Sequence, residues 1–313
     1  MKKFIAKVLV FFVLMFVFDR FVGYTFSYMS KHSKGGYVKH HNYITDGVKE
    51  DVLIFGSSRA IHHYNPLIFK DSLGLSCYNC GQDGNGILLY YGWWQIIKEH
   101  YNPKLIVYDV FDSFDILDRD DNHKYLGFLK ESYDRANVHE IFDDVDKKER
   151  IKMMSQMYRY NSKFHQIIAD FIHPIYKVNE NGFVPLYGEL DTMRIKNEED
   201  ILKDSYKIDT LKISYFNRLI DETKNIKLVF AISPYWYNTN SNNYSPIIDL
   251  CHKRNIPLLN FSNDPKYCHN NKFFKDGVHL NADGANEYTK DITKKLKEIL
   301  SDVRPGLRPD SLH

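Results

Sequence analysis

The chain lacks most of the features that assign a function at sight. Its formal net charge is only +2, with 42 basic against 40 acidic side chains in 313 residues, so no electrostatic argument points to nucleic acid. It carries four cysteines, too few for a disulfide scaffold. Cys77-Tyr-Asn-Cys80 has the C-x-x-C spacing but no second pair, and Cys251 and Cys268 stand apart. Core thiols or one disulfide are expected, and a zinc site is not. There is no Gly-x-Ser-x-Gly elbow, no P-loop, no Gly-x-Gly-x-x-Gly after a strand and no zinc-protease helix, which removes the commonest hydrolase, nucleotide and dinucleotide readings. No internal repeat occurs. No organic cofactor or metal is called for by any motif.

What is present begins at the N-terminus. Lys2, Lys3 and Lys7 precede an unbroken apolar run from Val8 to Phe18, after which come Asp19 and Arg20. The run alone is short for a bilayer, but Phe4 to Phe26 has the length, with Lys7 snorkelling and the Asp19/Arg20 pair near the far interface. No small-x-small cleavage site follows. The expectation is an uncleaved signal anchor or transmembrane helix over 1–29, with the basic end in the cytoplasm and the rest of a bacterial envelope protein outside. Residues 30–50, polar with Gly35-Gly36, read as a stalk.

From Asp51 onward strands and helices alternate. "VLIF" at 52–55 is a continuous apolar run, as in a strand buried on both faces, and "KLIVYDVF" at 104–111 reads as another buried strand. Strands are also expected at 75–79, 226–233 and 256–261, and helices at 64–73, 86–100, 205–224, 244–254 and 282–300. Between about 112 and 204 the alternation stops and helical periodicity suggests an inserted cap. The fold class is therefore α/β, a three-layer α/β/α sandwich around a parallel sheet, over 51–302, with a disordered tail at 303–313. The 44 Tyr and Phe residues suit a core and also a sugar-binding cleft.

In a parallel sheet, reactive groups collect just beyond the C-terminal strand ends. The first strand ends on Gly56-Ser57-Ser58-Arg59, the second on Cys80-Gly81-Gln82-Asp83-Gly84, and "FKDGVHLNADGA" precedes the last helix. This set holds a hydroxyl nucleophile, an imidazole base and, three residues before that base, a carboxylate to orient it. His62-His63 and the acidic run Asp118–Asp121 read as solvated surface.

"VLIFGSSR", Gly81 in "NCGQDGNG" and "DGVHLNADGA" together resemble the SGNH (GDSL-type) hydrolase superfamily, over roughly 50–112 and 204–302. The resemblance implies a flavodoxin-like SGNH fold with Ser58 as nucleophile, Asp276 and His279 completing the triad, and the backbone N–H groups of Ser58 and Gly81 as the oxyanion hole. One motif departs: "VFDSFD" follows the third strand, where the family carries Gly-x-Asn-Asp, so Asn85 or Gln82 is the substitute donor to examine. Arg59 and Asn85 are the candidate substrate-binding residues. Gly-Ser-Ser-Arg resembles membrane-associated members acting on cell-surface polysaccharide. The expected function is a serine esterase or O-acyltransferase on an acylated, O-acetylated glycan, without cofactor. The alternative is a degenerate glycan-binding or scaffold protein of the same fold.

Overall fold

The computed structural model describes residues 1–174, 177–191, 207–239 and 241–301; the tail expected to be disordered, 303–313, lies outside them. Five parallel strands form one sheet: β1 (Val52–Gly56), β2 (Cys77–Asn79), β3 (Leu105–Asp109), β4 (Lys227–Ile232) and β5 (Leu258–Asn260), in the order β2-β1-β3-β4-β5. In register Val52 pairs with Cys77 and with Leu105, and Leu105 with Lys227. The fold is the expected α/β class, and the order places the topological switch beside β1, where a doubly wound sheet opens its crevice.

Alternation along the strands splits the interior in two. Leu53, Phe55, Ile106, Tyr108 and Phe230 point to one core, which is covered by α5 (Ile87–Ile97) and by Tyr215, Phe216 and Leu219 of the helix Thr210–Glu222. Val52, Ile54, Leu105, Val107 and Val229 point to the other, covered by α4 (Pro66–Leu73) and the last helix, Ala282–Ser301. Both faces being packed is why the strands read as unbroken apolar runs. The helix expected at 205 starts at Thr210 because Asp209 caps it, accepting from the Leu211 and Lys212 N–H groups.

Part of the insertion lies over α5, and another part lies against the C-terminal strand ends, where the Asn79 N–H donates to the Asn181 carbonyl at 2.9 Å and the Val184 N–H to the Ile61 carbonyl at 3.0 Å. All of α5 is buried, and a Cβ on Gly92 would meet the Leu129 side chain at 2.5 Å. Leu126, Leu129, Val138, Ile141 and Phe142 of the insertion join the same core as Trp93. Helices shorter than the periodicity suggests follow: Glu149–Lys152, Gln156–Tyr160 and Phe164–Ile172.

Two N-terminal expectations are corrected. Among the described residues no helix is long and apolar enough to cross a membrane. Helix α1 (Lys2–Lys31) is continuous, but its unbroken apolar run, Val8–Phe18, covers only about 16 Å against a hydrocarbon core of about 30 Å. Of the residues counted as the rest of the span, those from Asp19 onward pack on the domain, whereas Phe4–Lys7 lie exposed before the run. The Asp19 carboxylate accepts from Ser155 Oγ at 2.6 Å and from the Gln156 and Met157 N–H groups at 2.9 and 3.0 Å, capping the helix Gln156–Tyr160. Arg20 donates to the Met154 carbonyl, Gly23 lies against Gln156, and Ser30 donates to Glu131. The transmembrane reading and the anchor drawn from it therefore fall. Nor is 30–50 a stalk: α2 (Gly36–Asp46) packs Tyr37, Val38 and Ile44 inward, His40 bonds to the Tyr78 hydroxyl and the Gly81 carbonyl, and Trp93 donates to His41 Nδ1. Two of the polar residues that suggested a tether, His40 and His41, are buried and bond to groups outside the segment. Cys77, Cys80 and Cys251 are buried free thiols, and the half-buried Cys268 thiol donates to the Tyr235 carbonyl at 3.7 Å.

Candidate active site

β1 ends on Gly56 at φ +138°, a conformation open to glycine, and a Cβ there would meet the Asp109 carbonyl oxygen at 2.6 Å. The turn leads directly into α3 (Ser58–His63), a short helix absent from the sequence reading, with Ser57 at its N-cap. Ser57 is fully buried and its Oγ has no hydrogen-bond partner, whereas Ser58 keeps a little exposure at the rim. The two adjacent hydroxyls are thus separated by burial.

The segment between β5 and the last helix brings the other two groups. Phe274 and Leu280 form an antiparallel bridge, and the Lys275 N–H donates to the His279 carbonyl at 2.8 Å, closing a tight turn. Inside that turn the Asp276 carboxylate accepts from the Val278 and His279 backbone N–H groups at 2.9 and 2.8 Å. It also lies 2.9 Å from His279 Nδ1. Burial pushes the Asp276 carboxyl up, but the hydrogen bonds and the charge of the imidazole outweigh it and hold the group below its usual value. On the other side His279 Nε2 lies 2.8 Å from Ser58 Oγ. The network assigns the tautomer: Nδ1–H donates to Asp276 and Nε2 accepts from the Ser58 hydroxyl. Ser58, His279 and Asp276 are brought together, with the imidazole about a fifth exposed and open to a ligand.

The other predicted residues are placed differently. The Gly81 N–H does not face the site; it donates to Asn79 Oδ1 at 2.9 Å. Glycine is required there for packing, because a Cβ would meet the Ile61 backbone nitrogen at 2.3 Å. Asn85 spends its amide on the Asp83 carbonyl at 2.7 Å, holding its own loop. Gln82 is buried behind that loop. Arg59 is fully buried: it donates to the Ser233 carbonyl, sits 3.9 Å from Asp109, and stacks over the Tyr235 ring at 4.0 Å. It is a structural ion pair below the site, out of a substrate's reach. Asp112 stands near the position of the missing asparagine and accepts from Asn243 at 2.9 Å. Of the expected oxyanion donors, the Ser58 N–H remains, in the first helical turn where backbone N–H groups have no intrahelical acceptor.

Three groups escaped the sequence reading. His62 and His63 are buried, not solvated, and both pack edge-on to His279, at 5.7 and 6.3 Å between ring centroids. His62 bridges to Asp83 at 3.1 Å. His63 Nε2 accepts from the Leu280 N–H, tying α3 to the histidine turn; burial, with Arg59 and His279 adding, pushes its imidazole well down. Asn79 is the third: its amide donates to the Ala60 and Tyr64 carbonyls, fastening α3 to the end of β2. The available signal was spacing, since His62 lies four residues after Ser58 on one face of a helix. Within the acidic run, Asp118 and Asp120 are exposed and Asp121 is buried.

No family model matches the chain, and no curated protein matches it. Among solved structures it is similar to a protein from Desulfitobacterium hafniense DCB-2 described as a "putative lipolytic protein of G-D-S-L family", at 8% identity and a TM-score of 0.38, over 78% of this chain and 98% of that one. At that distance the chemistry rests on the geometry of Ser58, His279 and Asp276.

Proposed function

We propose that the protein is a serine esterase or O-acyltransferase of SGNH type, acting on an acylated glycan. The observation that carries this reading is the pair of contacts on one imidazole, Ser58 at 2.8 Å and Asp276 at 2.9 Å. Ser58 Oγ attacks the ester carbonyl carbon while its proton passes to His279 Nε2, and Asp276 stabilises the imidazolium and keeps the tautomer. The oxyanion forms against the Ser58 N–H. His279 then protonates the leaving alcohol, and the acyl group on Ser58 passes to water or to another hydroxyl. With Gly81 engaged elsewhere and no asparagine after β3, the hole is short of donors, and each lost donor costs about 10²–10³ in rate. A slow enzyme is the expectation.

That shortage favours one rival, a protein that binds glycan without turnover. The two separate under a fluorophosphonate probe, which needs an activated serine and no glycan. Labelling of full-length protein at Ser58, lost in Ser58→Ala and His279→Ala, supports the enzyme; no labelling of a folded protein supports the binder. An extracytoplasmic location is part of this reading, since an acylated cell-surface glycan lies outside the cytoplasm. Recovery of the chain in the soluble cytosolic fraction would refute that location.

A further inference from the structure

A cavity of about 480 Å³ lies between the loop after β2 and the insertion helix Phe164–Ile172, with no residue of the triad in its lining. Its volume falls within the range of small-molecule sites, about 300–1,000 Å³. Gln82 and Asp83 form one wall, Tyr37 and Phe128 offer ring surface, and His165 and Asp170 come from the insertion helix. The wall is connected to the chemistry: Asp83 is held by His62, and the His62 ring packs on His279. Two other cavities, of about 670 and 450 Å³, are lined by residues of the insertion and the helix Thr210–Glu222 and touch none of these groups.

The lining has a chemical bias. Its formal charges are the carboxylates of Asp83 and Asp170, and no Lys or Arg is among the lining residues. The nearby Lys163 ammonium packs on the Phe128 ring. Phosphates, sulfates and carboxylates are therefore disfavoured. Gln82 is 3% exposed, and its Oε1 meets no hydrogen-bond partner, a state costing about 1–3 kcal/mol. The terminal amide torsion is soft, so that acceptor can turn to a donor arriving in the cavity. Asp83 is engaged by the Tyr37 hydroxyl and by His62, and Asp170 by the Val38 N–H, so the carboxylates set the sign of the wall while the Tyr37 and Phe128 rings and the Gln82 amide suit a ring with apolar C–H faces and a fringe of hydroxyls.

We infer that this cavity is the subsite for the sugar ring of the substrate, and that it selects a neutral or amino-bearing sugar over an anionic one. The inference rests on the esterase reading for the word substrate, but the pocket itself can be judged without turnover. Saturation-transfer NMR on the full chain with methyl β-glucoside, glucosamine and glucose 6-phosphate should show transfer to the first two and little to the third. Ala169→Trp, which fills the cavity from the insertion helix, should weaken the first two at least about tenfold. Gln166→Ala is the milder second variant, for use if Ala169→Trp does not fold, and should weaken them about threefold. Kinetically, Ala169→Trp should raise KM for glucose penta-acetate about tenfold while p-nitrophenyl acetate turnover stays within about twofold. Unaltered sugar binding in both variants, preference for glucose 6-phosphate, or no sugar binding by the wild type would overturn the subsite. Absence of p-nitrophenyl acetate turnover with sugar binding intact would instead overturn the esterase reading and leave the subsite standing.

Discussion

Ser58 and Ser57 are neighbours with opposite fates, and that difference is testable. If Ser58 and His279 form one proton-transfer unit, Ser58→Ala and His279→Ala each lower p-nitrophenyl acetate hydrolysis by a similar large factor, about 10³ or more, and the double variant falls little further. Asp276→Ala costs less, because the Phe274–Leu280 bridge and the Lys275 N–H bond to the His279 carbonyl still hold the turn that carries the imidazole. Ser57→Ala should leave the rate unchanged and stability unchanged or slightly raised, since it removes a buried hydroxyl with no partner. Loss of activity in Ser57→Ala with retention in Ser58→Ala would move the nucleophile by one residue. Arg59 makes a different prediction. Arg59→Ala leaves the Asp109 carboxylate buried against Ser233 and Tyr64 without its cation, and should cost about 3–5 kcal/mol in denaturant unfolding. A variant that unfolds at the wild-type midpoint but loses substrate affinity would return Arg59 to the binding site.

At the scale of elements, α1 is two things joined end to end. Its second half is a domain helix, because Asp19 caps the helix Gln156–Tyr160 and Gly23 allows the two helices to touch. Asp19→Ala should cost about 1–2 kcal/mol, the usual loss of a capping carboxylate, read as a lowered thermal midpoint. Removing the exposed residues before Asp19 should shift that midpoint little. An unchanged midpoint in Asp19→Ala would mean that the contact does not hold the helix in place. In the sequence, these interactions were invisible for a physical reason. A charged pair after an apolar run looks the same whether it faces lipid headgroups or caps a helix more than a hundred residues away. The same holds for α2, whose His40 and His41 find partners on α5 and near β2.

Across the whole molecule, several imidazoles are buried neutral. Burial pushes His40 down to about 4, and pushes His41 and His63 well below the ordinary histidine value. The unfolded chain takes up these protons near pH 6.5, while the folded protein refuses them until lower pH. Stability from these groups is therefore present above about pH 6.5 and lost as pH falls toward 4, with His40 alone accounting for roughly 3 kcal/mol. Urea midpoints measured from pH 7.5 to 4.5 should fall steadily. His40→Gln should flatten part of that slope, although it lowers the plateau. A flat profile would show that these histidines keep solvent access.

Much of the molecule follows from local sequence. The apolar runs specify strands buried on both faces, Gly56 specifies the turn out of β1, and Asp276-Gly-Val-His279 contains its own hydrogen-bonded loop, so Ser58 at the end of β1 and the Asp276/His279 pair before the last helix could be read from the sequence. These are short-range determinants: an unbroken apolar run, a positive φ, a carboxylate reaching backbone N–H groups two and three residues away. The tertiary structure decided everything that depends on distant partners. Asn79 claims the N–H of Gly81 and Asp109 claims Arg59. The segment around Val184 reaches His62, part of the insertion lies over α5, and residues 154–157 take up the charged half of α1. A side chain's role there depends on which buried group across the fold needs a hydrogen bond, and a single sequence does not encode that locally.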